Sequence, residues 1–173
     1  MDGFEVVQKI RQTDLEIPVI LATGKINPKD VTAGYEAGAD NYIKKPYTPE
    51  ELNVHIKKLI NLKDNSKLRL KNAIYKIGKY TLDSKNLTLI YNDSEKTILT
   101  VRESNILELL LQHKGEIVKR EEIINTFWDE KTDSFFASRS LDVFITKLRK
   151  YLSKDASISI RNVKPVGLIL EVD

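Results

Sequence analysis

Residues 139–150 read Arg139-Ser140-Leu141-Asp142-Val143-Phe144-Ile145-Thr146-Lys147-Leu148-Arg149-Lys150. Stepped at 100° per residue, Leu141, Ile145 and Leu148 line up with Leu152, the stripe of a helix with one face on a core. Ser138 is placed to cap that helix. The opposite face carries Arg139, Val143, Thr146 and Lys150, with Lys147 and Lys154 on its flank. Such a face suits a DNA major groove, because lysine and arginine meet phosphates and guanine edges and Val143 can meet a thymine methyl. Arg149 falls nearer the core stripe and is expected to bridge to a phosphate or an acidic neighbour. Charge alone fits an ordinary solvated helix face equally well.

The residues around this stretch supply a context. Upstream, Thr100-Val101-Arg102-Glu103 is a capping box. It opens a helix with Ile106, Leu107, Leu110 and Leu111 inward, stopped by Gly115. Glu121 to Trp128 reads as a shorter helix. Downstream, Ser157–Val163 and Gly167–Val172 read as two strands joined through Lys164-Pro165-Val166-Gly167, a proline-initiated turn carrying Lys164 beside Arg161. Three helices followed by a basic hairpin make a winged helix-turn-helix arrangement. Before them, residues 74–99 alternate like strands, with a turn at Asn92-Asp93-Ser94.

Residues 1–62 follow another pattern. Phe4, Val7 and Ile10 give a short helical stripe. Ile17-Pro18-Val19-Ile20-Leu21-Ala22-Thr23 is an apolar run typical of a strand buried on both faces. Asn27-Pro28 caps a helix that Gly38 ends, Asn41–Lys44 is a second strand, and Thr48-Pro49-Glu50-Glu51 opens a helix with Leu52, Ile56, Leu59 and Ile60 inward. The order α-β-α-β-α is a piece of an open, doubly wound parallel α/β sheet. Residues 63–73 are polar and weakly periodic. The expected division is therefore 1–62, a linker at 63–73, and an α+β winged helix at 74–173.

Composition agrees. Of 173 residues, 41% are hydrophobic and 31% charged, which excludes a disordered or fibrous chain. No apolar run is long enough to span a membrane, the acidic Met1–Glu5 start has no basic n-region, and a cytoplasmic location is expected. Cysteine is absent, and His55 and His113 are the only histidines, so disulfides, thiolate metal sites and histidine-rich metal centres are excluded. Residues 1–63 are neutral overall, whereas 139–164 carry seven basic residues against Asp142 and Asp155, a local polyanion footprint on a chain of net charge +3. Glu50-Glu51 and Glu121-Glu122 sit at helix starts as dipole partners. No nucleophile–base spacing is evident, so no enzyme is expected.

The second half resembles, over its whole length, the winged-helix effector domain of bacterial two-component response regulators of the OmpR/PhoB type. The matching strings are Leu99–Leu111, Gly115–Ile123, Phe127-Trp128 and above all Arg139–Lys150. The first half resembles the later part of the receiver domain. Met1–Val6 matches the segment after the phospho-accepting aspartate, Thr23 the hydroxyl that contacts the phosphoryl group, and Gly38–Pro46 the following motif, with Tyr42 as switch aromatic and Lys45 as phosphate-pairing lysine. The acidic pair and acceptor aspartate of the family lie upstream of Met1. The chain as it stands is therefore not expected to accept a phosphoryl group; Mg²⁺ and a sensor histidine kinase belong to a complete receiver. A two-stranded remnant is expected to expose an apolar sheet edge, in a fragment of a longer regulator or in a truncated one stabilised by a partner, the fragment being favoured. The resemblance implies a DNA-binding transcription regulator of a phosphorelay, a homodimer on double-stranded DNA, and contact with RNA polymerase through the 128–138 loop, which carries Phe135-Phe136. DNA contact is assigned to Arg139, Val143, Thr146, Lys147, Arg149, Lys150, Arg161 and Lys164. Pro165, Leu168 and Ile169 depart from the glycine, tyrosine and basic residue usual in the wing, and His55 replaces an arginine common in receiver dimerisation. The competing expectation is a winged-helix protein-interaction module that does not bind DNA.

Overall fold

The computed structural model describes residues 2–68 and 74–173. The first half runs α1 (Gly3–Thr13), β1 (Ile20–Thr23), α2 (Pro28–Glu36), β2 (Asn41–Lys44) and α3 (Pro49–Leu68), the α-β-α-β-α order expected. Local chemistry sets the ends. The Asp2 carboxylate accepts from the Phe4 and Glu5 amides while Glu5 accepts from the Asp2 amide, which closes the start of α1. Asn27 caps α2 ahead of Pro28, and Gly38, at φ +110°, takes the chain out of it through a conformation that favours glycine. β1 is shorter than the run 17–23 suggests. Pro18 has no amide to give a ladder, and the Val19 amide goes to the Asp40 carboxylate at 2.8 Å.

β1 and β2 pair in parallel, Ile20 opposite Asn41 through Thr23 opposite Lys44. Among the described residues no third strand joins them. Val6, Ile17, Ile26, Ile56 and Ile60 are exposed. Ile56 and Ile60 were expected to face inward; the buried stripe of α3 is instead His55, Leu59 and Leu62, because that side of α3 lies against the second half. Arg11 ties this half together. Its guanidinium donates to the Gly38 carbonyl at 2.9 Å, the Ile17 carbonyl at 2.7 Å and the Asp40 carboxylate at 2.7 Å. α3 continues through 63–68, the first part of the expected linker, where no proline or glycine stops a helix. The remainder of that linker, 69–73, lies outside the described residues.

The second half opens with an antiparallel meander of β3 (Ile74–Ile77), β4 (Tyr80–Asp83), β5 (Thr88–Tyr91) and β6 (Glu95–Ile98). Then come α4 (Val101–Gln112), β7 (Ile117–Lys119), α5 (Arg120–Phe127), α6 (Ser134–Tyr151), β8 (Ile158–Val163) and β9 (Gly167–Val172). The last three strands form a sheet in the order β7-β9-β8. Its three-residue member β7 is too short to show an alternation in sequence. Leu82, Leu99, Ile106, Leu110, Leu141 and Leu148 are wholly enclosed, so the stripes of α4 and α6 meet as their periodicity requires. The capping box at Thr100 is complete. The cap expected at Ser138 moves to Asp133, whose carboxylate accepts from the Phe135 amide at 2.8 Å. α6 gains a turn that way because Phe136 and Ala137 extend its buried stripe.

The halves touch along two seams, α2 on α6 and α3 on α4. Tyr35 meets Phe144 edge-on with ring centroids 6.1 Å apart, and Tyr42 meets Phe136 at 5.3 Å.

Candidate nucleic-acid interface

α6 and the β8–β9 hairpin frame a groove of about 520 Å³, bordered by Arg120, Asp142, Thr146, Arg149, Lys164 and Gly167. Its shape is held by two arginines. Arg120, the first residue of α5, donates from Nη2 to the Ser138 carbonyl at 2.7 Å, to Ser138 Oγ at 3.1 Å and to Asp142 Oδ1 at 2.7 Å. That fixes α5 against α6. Arg149 donates to the Ile160 carbonyl at 2.8 Å and to Asn162 Oδ1 at 3.0 Å, which fixes the hairpin against α6. The bridge expected of Arg149 thus runs to a carbonyl and an amide. Arg120 was not singled out from the sequence, since nothing in its spacing shows that Ser138 and Asp142 converge on it.

The remaining residues assigned to DNA contact divide into open and engaged. Arg139, Thr146, Lys150 and Lys164 are exposed. The Arg139 guanidinium lies 5.6 Å from the centre of the Phe135 ring, and Thr146 Oγ1 donates to the Asp142 carbonyl one turn back. Arg161 is exposed but committed: it donates to both oxygens of Glu171, at 2.6 and 2.8 Å. That hydrogen bond holds the Glu171 carboxyl below its usual range. Glu171 thus takes two of the five guanidinium N–H donors and offsets the charge, a constraint that the hairpin's charge count does not reveal.

Val143 and Lys147 correct the helical-wheel expectation. Val143 was placed outward; it is buried, 7% exposed, because α2 lies over this face of α6. The Lys147 ammonium donates to the Tyr35 carbonyl of α2 at 3.1 Å and lies 3.6 Å from Glu103 of α4. A wheel assigns one buried stripe from one helix's own pattern. It cannot show a second partner that comes from the other half of the chain.

Thr23, Tyr42 and Lys45 gather at the ends of β1 and β2. The Lys45 amide donates to the Thr23 carbonyl at 2.9 Å, and Thr23 Oγ1 accepts from the Lys25 amide at 3.0 Å. Lys45 is exposed. Tyr42 is buried, its hydroxyl donating to the Lys25 carbonyl, and burial raises its pKa. These residues do not fit a Mg²⁺ site. They offer a hydroxyl and an ammonium where the ion needs carboxylates, and the nearby Asp2 carboxylate already serves the α1 cap.

Residues 94–170 match the family "Transcriptional regulatory protein, C terminal", and residues 1–57 match the family "Response regulator receiver domain". The chain is 41% identical over 166 residues to the transcriptional regulatory protein RprY of Bacteroides fragilis (strain YCH46), covering 96% of this chain and 69% of RprY. It is 34% identical over 160 residues to the probable transcriptional regulator ycf27 of Galdieria sulphuraria, covering 91% of this chain and 62% of that protein. Its structure is similar to that of the response regulator DrrB, an OmpR/PhoB homologue of Thermotoga maritima. There the TM-score is 0.50 at 29% identity, over 99% of this chain and 74% of DrrB. The chain thus spans about two thirds of the length of the curated relatives it matches.

Proposed function

The chain belongs to the response regulators of the OmpR/PhoB type, transcriptional regulators, and from that premise we propose that it binds double-stranded DNA sequence-specifically through α6. One observation carries the proposal: α6 presents Arg139, Thr146 and Lys150 beside a wing fixed to it by Arg149, the geometry of a helix that enters a major groove. Lys150 and Lys164 serve as phosphate contacts. Val143 and Lys147 serve as base readers, and for them to act α2 must leave α6. Arg161 joins through the N–H donors that Glu171 leaves open, its charge partly offset by that partner. Two copies share the DNA, and the exposed Phe135 with its stacked Arg139 offers the 128–138 region to RNA polymerase. The units 1–62 and 74–173 act as separate domains across the 63–73 segment. A sensor histidine kinase and Mg²⁺ address only a complete receiver.

Titration of the chain against a selected duplex and a scrambled one tests this. Affinity should fall steeply with salt. Lys150→Ala should weaken binding to both duplexes alike and lower the salt slope by about one. Lys147→Ala should cost about 1–3 kcal/mol on the selected duplex only. No binding at low salt would leave the winged helix as a protein-interaction module. Separately, incubation of the 173-residue chain with acetyl phosphate and Mg²⁺ should add no mass, since its acceptor position lies upstream of Met1 in the family pattern. An acid-labile adduct of one phosphoryl group would overturn that.

A further inference from the structure

The turn between β8 and β9 is the tip of the wing, and Lys164, Pro165 and Val166 there are all exposed. Val166 keeps 45% of its surface open. Its backbone is spent on the protein itself. The Val166 amide donates to the Val163 carbonyl at 2.7 Å, and its carbonyl accepts from the Arg120 amide at 3.1 Å. Pro165 has no amide proton. Gly167, next in the chain, lies so close to the Val118 and Lys119 backbone that no side chain fits there. The tip is therefore a fixed turn that offers a partner two apolar side chains and one ammonium. Resting on the DNA-binding reading, we propose that Val166, with Pro165 beside it, is an apolar wedge: it presses into the minor groove next to the site that α6 reads and opens a base step there, so that the wing selects DNA by its deformability.

The placement follows from how the hairpin is tied. With α6 in a major groove about 12 Å wide, the strand that borders this groove passes over the cleft between α6 and the hairpin, bordered by Thr146, Arg149 and Lys164. Arg149 holds β8 at Ile160 and Asn162, so the hairpin stands on the far side of that strand, over the neighbouring minor groove. A·T pairs present only acceptors there. A reader that works by hydrogen bonds needs donors, and positions 165 and 166 have none to give. Lys164 supplies charge, which draws the tip to the bordering phosphates without reading a base. What remains to read with is shape. Apolar side chains set against a base step partly unstack it and bend the duplex toward its major groove, which here means around α6. Unstacking costs least at flexible pyrimidine–purine steps. A wedge must also be stiff, since a loose turn would fold away rather than strain the duplex. The two backbone bonds of Val166 and the close seat of Gly167 meet that need.

The test uses the full chain and the selected duplex, with a TA step moved one position at a time through A·T pairs flanking the site. Dyes at the duplex ends report bending, and 2-aminopurine at the step reports unstacking. At one position the parent chain should bend the duplex, raise the 2-aminopurine fluorescence and bind severalfold more tightly than to AA at the same place. Val166→Ala should lose most of all three effects. Its Tm and salt slope should stay as in the parent, because the side chain is exposed and uncharged. Val166→Lys should steepen the salt slope by about one and still lose the preference for TA, which separates the apolar side chain from added charge. A duplex that the parent leaves straight and stacked overturns the wedge and leaves DNA binding standing. So does a bend and a TA preference that both variants retain. Failure of the parent to bind any duplex at low salt would remove the DNA-binding reading, and the wedge with it.

Discussion

Both halves leave large apolar side chains open, Ile17, Ile26, Ile56 and Ile60 in the first and Ile74, Ile98 and Ile117 in the second, but only the second encloses a wide set of leucines and isoleucines from α4, α5, α6 and its sheets. Beside a small apolar set of Val7, Leu21, Val31 and Ile43, much of what holds the first half is polar or borrowed. Arg11 gathers three separate stretches onto one guanidinium. Tyr35, Tyr42, His55, Leu59 and Leu62 are buried, with Phe136, Phe144 and α4 of the second half on their far side. A domain with its own apolar core gains from burial over many positions. One that hangs on a buried ion pair and a neighbour is vulnerable at few.

The largest expected effect follows from that difference. Arg11→Ala strands Asp40 as a buried, unpaired anion and should cost about 3–5 kcal/mol. Amides of residues 2–62 should lose hydrogen-exchange protection while those of 74–173 keep theirs. Equal losses in both halves would break the comparison. Burial already raises the Asp40 carboxyl and Arg11 pulls it down. A folded pKa above the unfolded value means that folding tightens proton binding at Asp40, so acidification should partly rescue the variant, with the benefit lost as pH rises. In the second half the weak point is steric. A Cβ on Gly167 would lie 2.0 Å from the Val118 carbonyl oxygen, across the β7–β9 pairing. Gly167→Ala should cost roughly 1–3 kcal/mol, read as a lowered Tm with the first half's protection unchanged. The smallest effect concerns Asp155, which accepts from the Lys79 amide at 2.7 Å and from Ser157 at 2.8 and 3.1 Å. Those bonds, the Lys79 amide foremost, lower its pKa. Its contribution is present above the unfolded value and fades as pH falls through the folded one. Asp155→Asn should make the second half's acid unfolding shallower by circular dichroism. An unchanged acid limb would remove Asp155 from that account.

What the sequence made legible were features written over short distances. The capping box at Thr100, the Asn27-Pro28 start of α2, the stripe Leu141, Ile145, Leu148 and Leu152, and the strands on either side of Lys164-Pro165 all depend on residues within a few positions of one another. Counting strands suggests an open apolar sheet edge, but the open apolar residues lie on α1, α3 and the loops around β1, because the apolar residues of β1 and β2 are half-buried or buried. The start of α6 was misplaced because Phe135-Phe136 resembles a loop insertion until Asp133 is seen to cap. The burial of Val143, the engagement of Lys147 by Tyr35 and the meeting of His55 with Asp129 were illegible for one shared reason. Each is a contact between halves, and no periodicity within one half encodes it.

The cover that α2 places over Val143 and Lys147 also has a meaning in time. On the DNA-binding reading, a duplex finds its partner only during the intervals when this face is open. The apparent dissociation constant is then the intrinsic one divided by the open fraction. Changes that loosen the α2–α6 seam should quicken association in proportion and leave the lifetime of the formed complex untouched. This is the inverse of the usual pattern, in which interface substitutions act mainly on the off-rate.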